Sequence, residues 1–136
     1  MTKDPRYPIG KYETAPYSEA QKNKWVSDLR HLPKDLEMAI QNLDAAQIQT
    51  PYREGGWSIR QVVHHCADSH MNCFIRIKWA LTEDNPTIKF YYEDRWGEMK
   101  DNSNMPIEPT LALLEGLHFR LAYLMKSLSE TDLEKS

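Results

Sequence analysis

The chain has 136 residues, 40% hydrophobic and 27% charged, and carries a net charge of −3 at pH 7. That length suits one domain with a single core, and no apolar run approaches the roughly 18 residues of a spanning helix. The opening MTKDPRYPIGKYETAPYS lacks the apolar centre of a secretory signal, and no Lys/Arg stripe offers itself to a phosphate backbone, so neither membrane nor nucleic acid is expected as a partner.

Residues 1–17 hold three prolines and no periodicity, which predicts an extended arm laid along the body. Ser18, with Gln21 three places on, has capping-box spacing. Behind it Trp25, Leu29, Leu32, Leu36, Ile40 and Leu43 step by three or four, predicting a helix over 18–43. Pro33 inside it predicts a kink or break near residues 31–33. After the linker DAAQIQTPYREGG, Ser58 caps a second helix over 58–82. Residues 83–109 read as a long loop, of a length that is usually functional, with YYEDRWGEMK able to form a short helix. A third helix over 110–127 carries the stripe Leu111, Leu114, Leu117 or His118, Leu121 and Leu124. No period-two pattern is long enough to predict strands.

Three long helices are an odd total, because antiparallel bundles most often close with four. The tail LMKSLSETDLEKS faintly echoes AIQNLDAAQIQTPY, which precedes the second helix, and so predicts a partner helix after Ser136. The expected fold is therefore all-α: an up-and-down four-helix bundle, forming one domain over 1–136, with three long helices present and the fourth missing from this chain. Cys66 and Cys73, seven positions apart on one helix, lie roughly 10 Å from each other, beyond disulfide reach. They read as small buried thiols in a reducing cytoplasm.

The second helix opens with GGWSIRQVVHHCADSHMN and its histidines His64, His65 and His70. On a helical wheel Ile59, Val63, Cys66, Cys73, Phe74, Ile77 and Leu81 share one face with His70 in its middle. His65 heads a different, polar seam of Ser69, Asn72 and Arg76, and His64 points in a third direction, towards the rim. No pair has the i, i+4 spacing of a one-helix metal site, so the three cannot share an ion. His70 reads as a hydrogen-bonded core histidine. The His65 seam reads either as a solvated flank or as the wall of a cofactor site, and the wheel does not choose. His118, interrupting the leucine stripe, is core or pocket lining, a substrate contact or a substitute ligand. His31, beside Pro33, is a surface residue.

The segment PYREGGWSIRQVVHHCADSHMN, with YPIGKY, QKNKW…LPKDL and LALLEGLHFRL, resembles the YfiT-like branch of the DinB superfamily over essentially the whole chain. In that superfamily's pattern, Trp-(Ser/Thr)-x-x-(Glu/Gln)-x-x-x-His, the closing histidine ligates a divalent metal. Trp57, Ser58, Gln61 and His65 match, so the resemblance implies His65 as a ligand of one divalent ion, zinc or nickel. It also implies two further histidines, spaced HxxxH on a fourth helix, which these residues do not include. A three-nitrogen site with open positions is the arrangement of a catalytic metal. The implied activity is that of a metal-dependent hydrolase, or of an S-transferase joining a low-molecular-weight thiol such as bacillithiol to small electrophiles. Trp57, Arg60, Ser69, Asn72, Arg76, Trp96 and His118 are the pocket candidates. The long loop, with Tyr91, Tyr92 and Trp96, would cover the pocket, and Arg60 or Arg76 would hold an anionic group. Two other readings stay open: a non-catalytic module that completes its bundle as a homodimer, and a simple metal or small-ligand binder.

Overall fold

The computed structural model describes residues 4–135, and these form helices and connections with no strand among them. Ser18 opens α1 (Glu19–Ile40), its Oγ accepting from Gln21 N at 3.1 Å. The expected break at Pro33 is absent: α1 runs through it. Proline has no N–H to give the carbonyl four residues back, so the Leu29 oxygen is left open to a donor from elsewhere. α1 also stops at Ile40, short of the expected residue 43. Asp44 there starts a separate turn, α2 (Ala45–Ile48), with its own capping box.

Residues 50–59 form a tight reversal in which Gly55 takes φ +67°. Tyr52 N donates to Trp57 O at 3.0 Å and Ile59 N to Thr50 O at 3.2 Å. The turn delivers Ser58 as the cap of α3 (Ile59–Thr82), with Gln61 completing the capping box. The expected loop over 83–109 holds two short helices, α4 (Glu93–Gly97) and α5 (Lys100–Ser103). α6 (Glu108–Ser127) begins two residues before the expected start, its first turn stabilised by Pro109. α7 (Glu130–Leu133) closes the described chain.

The packing order corrects the up-and-down expectation. α6 lies against both α1 and α3, while α4 and α5 cover another side of α3. The reason is the face of α6 itself, where Thr110, Leu114, His118, Leu121 and Ala122 are all buried. α1 reaches the start of α3 through a core of Ile40, Ile48 and Val63, supported by Leu36, Ile59 and Leu111. The arm meets the body only in part: Ile9 is 97% exposed and Tyr12 77%, while Tyr17 beside α1 is half-buried. Its first residues, 1–3, are outside the described set. Among the described residues no helix is long and apolar enough to cross a membrane.

Candidate functional site

Hydrogen bonds separate the three histidines of α3 more sharply than their spacing does. His64, expected at the rim, is buried, with 2% exposure. Its Nε2 lies 2.9 Å from the Met105 carbonyl, and its Nδ1 2.7 Å from Thr110 Oγ1. A carbonyl only accepts, so Nε2 carries the proton and Nδ1 receives the threonine hydroxyl. Both nitrogens are occupied in tying α3 to the start of α6. The wheel misplaced this residue because it knew nothing of the segment over residues 100–110, which covers that direction.

His70 belongs to a second bonded system, through Nδ1 alone. Its Nδ1 is 2.7 Å from His118 Nε2, and His118 Nδ1 is 2.6 Å from the Leu29 carbonyl. That carbonyl is the one freed by Pro33. His118 must donate to it through Nδ1–H. His118 is wholly buried, and the tautomer with its proton on Nδ1 leaves a lone pair on Nε2. Its Nε2 is then an acceptor, and His70 is the donor through Nδ1–H. Burial, followed by the neighbouring His118 and His65, pushes the His70 imidazole down to about 4, which keeps it neutral at pH 7. One relay thus joins α3, α6 and α1, and it places His118 in the core rather than in a substrate or ligand position.

His65 is different. It is half-buried and neither ring nitrogen bonds to a described residue; since no unpartnered side-chain nitrogen is fully buried, both remain reachable. What holds the ring is Trp57, at a centroid distance of 4.7 Å and an angle of 53°. The Trp57…His65 spacing is thereby explained. The tryptophan leaves the turn before α3 and lies back over the helix against the histidine two turns on. Gln61 Nε2 donates to the Gly97 carbonyl at 2.8 Å. A Cβ on Gly97 would come within 2.8 Å of the Trp57 ring, so α4 sits as close to Trp57 as a glycine allows.

The other candidates divide. Asn72 and Arg76 follow His65 down α3 and line one cavity with Trp96, whereas Ser69 faces an adjoining one with Arg76. Arg60 stands apart: it donates to Gln49 Oε1 at 2.9 Å and to Met105 O at 2.8 Å, in a separate cavity beside Ile40 and Ile107. It lies there away from Arg76. The wheel also missed Asp68, one turn past His65, whose Oδ2 accepts from buried Asn102 at 2.9 Å. Burial raises this carboxyl above its usual range, against the lowering effect of Asn102. Its only signal in the sequence was its position one turn past both His64 and His65. The thiols were expected buried, but Cys73 is exposed and Cys66 half-buried. Burial still pushes the Cys66 thiol up, so it is no activated nucleophile.

Fold and site together define a class: a helical bundle that leaves both nitrogens of one imidazole unbonded beside a turn tryptophan and ties the neighbouring histidines to other helices. The DinB superfamily profile matches residues 28–136, and the chain belongs to that superfamily. It is 47% identical over 137 aligned positions to a Geobacillus kaustophilus (strain HTA426) protein named "Putative metal-dependent hydrolase", covering 99% of this chain and 77% of that one. It is 50% identical over 134 positions, with 98% and 77% coverage, to a Bacillus cereus (strain AH820) protein of the same description. Among solved structures it resembles YfiT from Bacillus subtilis, described as "a probable metal-dependent hydrolase with an unusual four-helix bundle topology". The match has a TM-score of 0.93 and 43% identity, over 96% of this chain and 75% of that one. YfiT-like membership and a metal-dependent enzyme at family level follow from these likenesses.

Proposed function

We propose that this protein works as a metal-dependent hydrolase, or as a thiol S-transferase, on small molecules, with His65 as one ligand of a divalent zinc or nickel ion. The observation that carries the reading is that His65, alone among the three histidines of α3, has neither ring nitrogen bonded to a described residue. Its two nitrogens are reachable while those of His64 are occupied, so His65 fits the chemistry of a ligand. Among the described residues no group of three His, Cys, Asp or Glu side chains could hold an ion by itself. The relatives named for a metal extend past the part matched here, and the reading takes the remaining donors from outside the described residues. When bound, such an ion lowers the pKa of water or a thiol and so supplies a nucleophile at neutral pH.

This chain's own residues would do the positioning. Trp57 fixes the ring plane of His65, Ser58 and Gln61 fix the start of its helix, and the buried relay holds α6 in register with α3. Elemental analysis after dialysis tests the reading. In a protein that carries those remaining donors, the wild-type form should retain a divalent ion that His65→Ala loses, with loss of ester or thiol-conjugation activity in parallel. Equal metal content in both proteins would remove the hypothesis.

A second reading, association into a homodimer, is favoured by Phe119 (55% exposed) and Tyr123 (74% exposed) on α6. Large apolar side chains so placed drive association. Size-exclusion chromatography with light scattering would show a dimer that Tyr123→Glu dissociates, and a monomer at all concentrations would dismiss it.

A further inference from the structure

A cavity of about 340 Å³ lies between α3 and the segment leading into α4. That volume is at the small end of the range for organic-ligand sites. Five aromatic side chains line it: Trp79, Phe90, Tyr91, Tyr92 and Trp96. Several remain open, with Phe90 66% and Tyr92 57% exposed. They are mutually braced, Tyr91 against Trp96 at 4.7 Å and Phe90 edge-on to Tyr92 at 5.3 Å. An aromatic wall of this kind favours a flat apolar guest by stacking.

Its charge decides which kind. Arg76 and Lys89 both line the cavity, no acidic side chain does, and neither makes an ion pair among the described residues. Arg76 uses one terminal nitrogen on the Lys89 carbonyl at 2.8 Å and leaves the rest of its fork unbonded. Its guanidinium stands 5.6 Å from the Tyr91 centroid, and that of Arg95 4.3 Å from Tyr92. A cationic guest would find these ring faces already taken and like charges around it. A carboxylate, sulfonate or phosphate would find a guanidinium with free donors.

The cavity also lies on the His65 line of α3. Asn72 and Arg76 follow His65 by seven and eleven residues, which keeps all three within roughly 20° of one direction, at roughly 10 and 16 Å along the axis. We infer that this cavity binds a planar aromatic group bearing a negative charge, and that it holds the non-reacting end of the substrate whose other end reaches His65. The second half of this inference rests on the reading of His65 given above; the first half does not.

Titration calorimetry with three probes of one shape tests both halves: 2-naphthoate, neutral 2-naphthol and the cation 2-naphthylmethylammonium. Naphthoate should bind at least ten-fold more tightly than the other two. Arg76→Gln should bring it down to the naphthol level, a loss of about ten-fold or more, as befits a charge-assisted hydrogen bond. Arg76→Lys should recover part of the preference, and Trp96→Leu should weaken naphthoate and naphthol alike, with circular dichroism checking that each variant is folded. His65→Ala should leave naphthoate affinity within two-fold of wild type even where it abolishes metal uptake. Equal affinity for the three probes, no saturable binding, or indifference to Arg76→Gln would overturn the inference. Should naphthoate bind as expected while metal content ignores His65, the aromatic-anion site stands and the metal reading falls.

Discussion

His64 and His65 are neighbours in the chain and opposites in the structure. One is enclosed by Met105 and Thr110 with both nitrogens engaged, while the other rests on Trp57 with both nitrogens reachable. The same contrast separates the two sides of α3. The side that meets α6 is sealed by the His70–His118–Leu29 relay, and the side that meets α4 opens onto the aromatic cavity. A histidine becomes available for chemistry when its environment leaves a lone pair unspent. Histidine density along a helix says nothing of that.

The largest effect should come from breaking the sealed side. His118→Leu strands the Leu29 carbonyl, which Pro33 deprives of its helical donor, and strands the Nδ1–H of His70. With each stranded group costing 1–3 kcal/mol, stability should fall by about 3 kcal/mol in urea denaturation. A loss under about 1 kcal/mol would mean the relay is incidental.

Next comes the seam between α3 and α4. Gly97→Ala pushes a methyl into the Trp57 ring and should cost about 2 kcal/mol by overpacking, with a shift of the His65 resonances in NMR spectra. Unchanged His65 resonances would refute the idea that Trp57 orients that ring. His70 sharpens the comparison through pH. Its imidazole titrates at about 4 in the fold against 6.5 as its ordinary value, so the unfolded chain takes up the proton first. This contribution to stability is complete above about pH 6.5 and is lost as the pH falls towards 4. His70→Gln should flatten that part of the stability profile, and nitrogen-15 spectra of the wild type at pH 7 should show the proton on Nδ1. The smallest effect on stability belongs to His65→Ala, at most about 1 kcal/mol for a half-exposed ring, although the same change should abolish metal retention.

Much of this could be read from the residues. Capping by Ser18 and Ser58 and the stripes of the three long helices are local, whereas the Trp57–His65 pattern came from the family resemblance. They depend on a 3.6-residue period and on side chains that bond within one turn. The helix stop at Ile40 was missed because the Leu43 stripe position outweighed the cap at Asp44. The partition of the site was not readable, since the bonds that decide it span large separations in the chain: His64 to Thr110, His70 to His118, His118 to Leu29.

The sequence by itself determined the three long helices, that a polar seam runs down α3, and, through the motif of the family it resembles, that His65 is the histidine to examine. Only the tertiary structure decided that α6 sits between α1 and α3, that Pro33 frees a carbonyl for His118 instead of breaking its helix, and that Arg60 and Arg76 serve different cavities. The physical reason is that a hydrogen bond between distant residues satisfies both partners at once. Which lone pairs remain free is therefore settled only when every helix is in place.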